Sequence, residues 1–306
     1  MQAWITSVQW IDDQNMIATQ SDGLLLRPGS VVRLAAQQPE TLNSVAQAEA
    51  SLWSVLSIGD QTLVSDYKGR ILRLDNQALQ PLEVQARWIR KLVAAPGGSG
   101  EVLAGTEDGQ LIVLSPAPYR ESRRVEMAKV AIFDVVASPS ATQIAVAMGD
   151  GSIQLRSWPE LELQLTISGK SFACWALQYT SNGQRLISGG ADRKLRMWDV
   201  ATGAPIVSLA TTSDWITSLV RLPETDLLIA GCLSGALVLV DDGTMLPVKT
   251  ETVAGSGVWG MDLSPDGKRL AVATRRNAVV VVELSEWLSQ AQAARQIALA
   301  QQPPQP

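Results

Sequence analysis

Cys174–Asp199, CWALQYTSNGQRLISGGADRKLRMWD, decides the fold. It holds three short apolar runs, CWALQY, RLISG and LRMWD, separated by polar turns. Runs of five or six residues bounded by Gly, Asn and Asp are too short for packed helices and fit strands of an antiparallel sheet. A fourth, more polar strand, PIVSL, follows from Pro205.

Working outward, the same grammar recurs seven times. The first strands open at Ile5, Leu52, Ile89, Ile132, Cys174, Ile216 and Val258, in steps of 47, 37, 43, 42, 42 and 42 residues. Second strands read MIATQ, TLVSD, EVLAG, QIAVA, RLISG, LLIAG and RLAVA. Third strands read LLLRP, ILRLD, LIVLS, IQLRS, LRMWD, LVLVD and VVVVE, and VVRLA from Val31 reads as the first repeat's fourth strand. Several of the turns between second and third strands carry Asp-Gly, as at Asp22-Gly23, Asp108-Gly109 and Asp150-Gly151. Gly accepts the positive φ that a tight hairpin requires. A four-stranded sheet of about 42 residues cannot bury both apolar faces alone, but seven packed face to face in a ring can. The expected fold is all-β: a seven-bladed β-propeller over residues 1–300, with blades starting near 4, 52, 88, 131, 173, 215 and 257. Residues 301–306 (QQPPQP) read as a flexible tail.

Composition narrows the chemistry. The 306 residues include no His, 25 Lys+Arg and 30 Asp+Glu, a net charge of −5. The absence of His removes imidazole acid–base catalysis, Ser-His-Asp triads and His-ligated zinc. The acidic balance argues against nucleic acid or an anionic membrane as partner. Cys174 and Cys232 sit in apolar segments and read as reduced, buried thiols, which points to the cytoplasm. Leu227–Val240 carries no charge, but its 14 residues fall short of the roughly 20 that a spanning helix needs. No secretory signal precedes the first repeat.

Repeat five, with Ser188-Gly189-Gly190-Ala191-Asp192 and Leu195-Arg196-Met197-Trp198-Asp199, resembles the WD-repeat β-propellers. So does repeat seven, with Val258-Trp259 and Leu263-Ser264-Pro265-Asp266-Gly267-Lys268-Arg269-Leu270. The resemblance extends over roughly Trp4–Leu284, with the other five repeats degenerate. It implies a non-enzymatic scaffold. The family's Asp–His–Ser–Trp network cannot form without His; Asp192, Ser188 and Trp198 keep three of its members in blade five. Trp4 already opens the innermost strand of blade one, so blade seven must take its fourth strand from the C-terminus or go without. Ser285 reads as an N-cap, with a helix over about 286–294 and an outer strand near Gln296–Ala300. The alternative is one longer helix packed under the ring.

The candidate binding residues are aromatic. Trp53, Phe133, Trp175 and Trp259 stand one position after the apolar opening residue, and Trp4, Trp88 and Trp215 one before it. By the family's geometry both positions face one mouth of the central channel, whereas Trp10 reads as core. The turns after the second strands add Tyr67, Lys68, Glu107, Leu233, Arg275 and Arg276, and the third blade's first strand adds Arg90. Lys68, Arg90, Arg275 and Arg276 form an expected basic arc suited to an acidic or phosphorylated peptide. The competing use of these rings is packing between blades. Ser168-Gly169-Lys170-Ser171 fails as a phosphate loop because Gln stands at 164 and no helix follows. Asp134 and Asp262 are the only acids on inner strands, too few for a carboxylate- or metal-dependent enzyme. The reading is a protein- or peptide-binding scaffold without cofactor or metal; the alternatives are a structural subunit that uses the blade rims and, ranked below it, a carboxylate-dependent propeller enzyme.

Overall fold

In the computed structural model, residues 4–21, 26–169, 172–210, 214–276 and 278–300 are described. Blade one is β1 (Trp4–Trp10), β2 (Asn15–Ser21), β3 (Gly29–Ala35) and β4 (Gln38–Ala48). Blade two is β5 (Leu52–Ile58), β6 (Gln61–Asp66), β7 (Ile71–Asp75) and β8 (Ala78–Pro81). Blade three is β9 (Ile89–Ala94), β10 (Val102–Thr106), β11 (Gln110–Leu114) and β12 (Glu121–Glu126). Blade four is β13 (Ile132–Ala137), β14 (Gln143–Met148), β15 (Ile153–Ser157) and β16 (Leu163–Ile167). Blade five is β17 (Cys174–Tyr179), β18 (Arg185–Gly190), β19 (Leu195–Asp199) and β20 (Pro205–Leu209). Blade six is β21 (Ile216–Arg221), β22 (Leu227–Cys232), β23 (Ala236–Asp241) and β24 (Leu246–Thr252). Blade seven has three strands, β25 (Val258–Leu263), β26 (Arg269–Thr274) and β27 (Val279–Glu283), followed by α1 (Ser285–Ala300). Every sheet is an antiparallel meander in chain order, so the chain is a seven-bladed β-propeller.

The core is a set of seams. Alternate side chains of each inner strand go to opposite faces, so Ile187 packs toward blade six and its neighbour Leu186 toward blade four. Each of the seven adjacent blade pairs has its own hydrophobic cluster, including Ile5, Val8 and Trp10 of blade one against Ala271, Ala273 and Val279 of blade seven. That last cluster closes the ring by packing, without a shared strand. The opening residues of the first strands are all buried in these seams.

Turn chemistry follows the sequence. Gly109 has φ +80°, and a Cβ there would lie 1.8 Å from the Ala128 carbonyl oxygen, so both conformation and space require glycine. Asp22-Gly23, Lys170-Ser171 and the expected tail over 301–306 lie outside the described residues.

Two expectations are overturned. In blade one the third strand is Gly29–Ala35, not the LLLRP run: Leu26–Pro28 form a turn before it. VVRLA is therefore the body of β3, and the fourth strand is the long, polar β4, whose Leu42 packs on the blade one–seven seam. At the C-terminus the strand expected near Gln296–Ala300 is not formed: Ser285–Ala300 is one continuous helix. Its sixteen residues contain no Gly or Pro to end it. The Leu288 amide donates to the Leu284 carbonyl at 2.9 Å, so Ser285 is the first helical residue rather than the cap. Trp287 and Ala291 are buried against Leu222 and Leu227, and Leu288, Ala291 and Gln292 share a cleft with Ser181 and Glu224. The helix thus runs beneath blades six and five.

Candidate functional site

A bulge at the start of each innermost strand builds the site. The ladder between first and second strands skips one residue in every blade: Thr6, Trp53, Arg90, Phe133, Trp175, Thr217 and Trp259. A bulge turns one side chain out of the alternation. All seven of these residues line the central cavity, which measures about 620 Å³. The two aromatic positions are therefore different places. The residue after the opening residue is the bulge and faces the channel. The residue before it flanks the mouth: Trp88 still lines the cavity, whereas Trp4 and Trp215 do not, and Trp215 is 40% exposed.

The rings form one connected group across the mouth. Trp259 and Trp175 stack at 6.1 Å with planes 6° apart, and Trp175 stacks on Phe133 at 5.4 Å. Trp215 meets Trp175 edge-on at 5.3 Å. Trp259 also meets Trp53 at 5.7 Å and Trp4 at 6.0 Å. Trp53 meets Trp88 at 4.9 Å, and Tyr67 meets Trp88 at 4.8 Å. Contacts across the axis, not only between neighbours, mean that the rings cap the channel. The indole N–H groups of Trp88, Trp175 and Trp259 are buried with no hydrogen-bond partner among the described residues. Unmet donors of this kind are costly and rare.

Two bulges without an aromatic carry Thr, and each Thr stitches its blade to the next. Thr6 Oγ1 donates to the Leu52 carbonyl at 3.0 Å, and Thr217 Oγ1 to the Val258 carbonyl at 2.8 Å. The third non-aromatic bulge, Arg90, lies among Trp88, Trp53 and Phe133, with its guanidinium 3.8 Å from the Trp88 ring centre, and it pairs with Glu107. Arg90 thereby acts as part of the cap.

The expected basic arc is half as large as its residues suggest. Lys68 pairs with Glu49 at 3.3 Å, which the sequence reading missed; Glu49 also takes Arg70 at 3.2 Å. Hydrogen bonds from Lys68, then Arg70, hold the Glu49 carboxyl below its usual range. Arg90 is committed to Glu107. Arg275 lies 4.3 Å over Trp4 and 5.6 Å from Trp259, and Arg276 is exposed. Neither of these two has an acidic partner among the described residues. Leu233 is half-buried beside Gly257.

Below the cap the channel wall is polar. Lys91 pairs with Asp134 at 2.9 Å, and Asp134 accepts the Leu177 amide of blade five at 3.0 Å. Asp262 accepts the Trp10 amide of blade one at 2.7 Å, and the Trp10 indole donates to the Asp262 carbonyl at 3.1 Å. Burial, offset in part by the Trp10 and Leu263 amides and by Lys91, pushes the Asp262 carboxyl up to about 6. Both inner-strand acids are therefore seam ties rather than a catalytic pair. No group of three or more Cys, Asp or Glu among the described residues could hold a metal ion. Cys174 and Cys232 are buried free thiols in different blades. Blade five keeps a reduced version of the family network: Trp198 Nε1 donates to Ser188 Oγ at 2.8 Å, and Asp192 pairs with Arg196.

Comparison with known proteins agrees with the propeller fold. The family pattern described as "WD domain, G-beta repeat" matches residues 161–199, which span blade five's characteristic turn and third strand. SEC12-like protein 2 of Arabidopsis thaliana is 24% identical over 48% of this chain and 39% of its own length. The U3 small nucleolar RNA-associated protein 4 homolog of Mus musculus is 27% identical over 62% of this chain and 29% of its own length. The chain thus spans well under half of these curated relatives. Among solved structures, a chain of the mitotic checkpoint complex superposes with a TM-score of 0.77 at 15% identity, covering 92% of this chain and 90% of that one. The WD40 β-propeller domain of Doa1 superposes with a TM-score of 0.76 at 17% identity, covering 91% and 92%.

Proposed function

Since the chain is a WD-repeat β-propeller, we propose that it is a non-enzymatic scaffold that docks an acidic segment of a partner protein across its capped channel mouth. The observation that carries this reading is the joined group of Trp4, Trp53, Tyr67, Trp88, Phe133, Trp175, Trp215 and Trp259, with Arg275 lying over Trp4 and Trp259. Trp and Arg dominate binding hot spots because they bury large area at small entropic cost. The uncommitted accessible groups here are donors: the guanidinium of Arg275 over the rings and that of exposed Arg276 in the same turn. A donor-rich face selects an acceptor-rich ligand, such as a run of Asp, Glu or phosphoserine. A fold neighbour from a mitotic checkpoint complex, and a relative named for association with U3 small nucleolar RNA, fit a role in assemblies. The buried thiols fit a reducing compartment such as the cytoplasm.

The test is a titration of intrinsic tryptophan fluorescence with an Asp/Glu-rich decapeptide, its phosphoserine counterpart and a Lys-rich control. The acidic peptides should change the emission and bind about tenfold more weakly to Arg275→Glu/Arg276→Glu. Equal responses to all three peptides, or equal affinity in the double variant, would overturn the reading.

A further inference from the structure

Six blades complete themselves with a fourth strand, and among the described residues blade seven stops at β27. The pairing shows which groups this leaves open. The Thr274 amide donates to the Ala278 carbonyl at 3.2 Å and the Leu284 amide to the Lys268 carbonyl at 2.9 Å. Hydrogen-bonded pairs recur at every second residue of an antiparallel ladder, so Val280 and Val282 bond inward to β26. The N–H and C=O groups of Val279, Val281 and Glu283 point outward, and none has a hydrogen-bond partner among the described residues. The corresponding residues of blade six, Leu237, Leu239 and Asp241, pair with Glu251, Lys249 and Leu246 of β24 and are buried. Val281 is half-buried and Glu283 exposed.

The helix supplies no backbone pairing to β27: its Trp287 packs against β24, with the ring centre 4.8 Å from Lys249 Nζ, and Leu288 and Ala291 reach beneath blade six. The neighbouring fourth strands, β24 and β4, flank this edge one strand spacing farther from the axis, about 4.8 Å, and Leu42 of β4 packs in one cluster with Val281 of β27. The edge of β27 is thus a recessed slot. Such a recess admits an isolated strand. It excludes the equally recessed β27 of a second copy, since both edges would have to meet beyond their own flanking strands.

We propose that this slot docks an extended segment of another protein, which adds antiparallel to β27 as the fourth strand of blade seven. The molecule's own fourth strands define the occupant. They run five residues in β16 and β20 and seven in β24. They turn Leu165 and Ile167, Val207 and Val248 toward a seam, with polar residues between. The docked segment therefore turns one or two aliphatic residues to a seam, at alternate positions where there are two, as in β16. An antiparallel strand starts beside Glu283 and ends toward exposed Arg276, which favours a basic start and an acidic end. This slot is separate from the aromatic mouth, and its test leaves the mouth intact.

The experiment follows amide hydrogen exchange in three samples: the chain alone, the chain with a synthetic LPVKTET peptide (the β24 sequence), and a chain with LPVKTET fused ahead of β1 through the linker VAGSG. In the chain alone, the amides of Val279, Val281 and Glu283 should exchange about a hundredfold faster than those of Val280 and Val282. The fused strand should slow the three by at least about tenfold, and the free peptide should do so at high concentration, but not in Val281→Pro. Val281→Pro should retain the inward ladder, because its missing donor is an outward one. Its tryptophan emission should match that of the parent, which separates loss of the slot from loss of the mouth. Three results would overturn the proposal. One is protection of the three amides in the chain alone. A second is protection that grows with protein concentration, which would mark a second copy as the occupant. The third is a fused strand that protects nothing.

Discussion

Blades five and seven resemble the WD-repeat pattern best in sequence, yet they sit in opposite structural situations. Blade five has four strands, an internal Trp198–Ser188 hydrogen bond and an Asp192–Arg196 pair that locks its turn. Blade seven has three strands and draws much of its support from outside. Asp262 ties it to Trp10, Asp13 accepts the Asp266 amide at 2.9 Å, and Arg269 lies 5.0 Å over the Trp10 ring. The matched motifs report local turn chemistry, whereas blade completeness depends on what the rest of the chain can supply. One blade is held from within and the other by its neighbours, and substitutions can separate the two.

The largest difference should come from core loss. Trp198→Ala removes a buried ring and leaves Ser188 without its partner, so it should cost about 3–5 kcal/mol in urea unfolding. Val281→Ala, at the half-buried edge of blade seven, should cost about 1 kcal/mol or less. Equal costs would show that the edge of blade seven is as well packed as the interior of blade five.

Next in size is the pH dependence of the blade seven–one tie. With the Asp262 carboxyl raised to about 6, the folded chain holds its proton where the unfolded chain has released it. Stability from this group is therefore full below about pH 4 and is lost as pH rises through 6, by about 3 kcal/mol. Asp262→Asn keeps an oxygen for the Trp10 amide and removes the charge. It should stabilise the protein at pH 8 by about that amount and leave it unchanged at pH 4. Urea midpoints at the two pH values check this, and equal shifts at both would exclude the carboxylate as the source. Asp134 occupies a similar inner-strand position in blade four, but there Lys91 supplies the opposite charge.

Legibility in the sequence follows the same division. Seven blades were readable because the opening residues and the five-residue apolar runs repeat, and burial on both faces of such sheets requires a ring. The helix at Ser285–Ala300 was misjudged because Gln, Ala and Ile in its second half are compatible with either strand or helix. Blade one was misread because LLLRP looks like a strand in isolation, although Leu26–Pro28 turn ahead of the strand that begins at Gly29. The aromatic positions were visible, but the bulge that separates channel-facing Trp53 from rim-placed Trp4 is a backbone property that no spacing reveals. The basic arc was overdrawn because Glu49, nineteen residues from Lys68, reaches it only in the folded ring.

The smallest effects compare one turn in the two blades. In blade five the turn before β19 is held by Asp192 and Arg196, with side chains only 10% and 17% exposed. Arg196→Gln leaves a shielded carboxylate unpaired, so a loss of about 1–2 kcal/mol is expected. In blade seven the corresponding turn carries Arg275, which rests on Trp4 and Trp259 without an acid, and Arg275→Gln should cost about 0.5–1 kcal/mol. Arg276→Gln should change stability by less than about 0.5 kcal/mol, since the side chain is exposed. Salt discriminates among the three, because an ion pair weakens at high ionic strength more than ring contact does. The cost of Arg196→Gln should shrink in 1 M NaCl, whereas that of Arg275→Gln should persist. If the Arg275 cost fell with salt as steeply as the Arg196 cost, blade seven's turn would be held by a charge partner after all, and its guanidinium would not be available to a docked acidic segment.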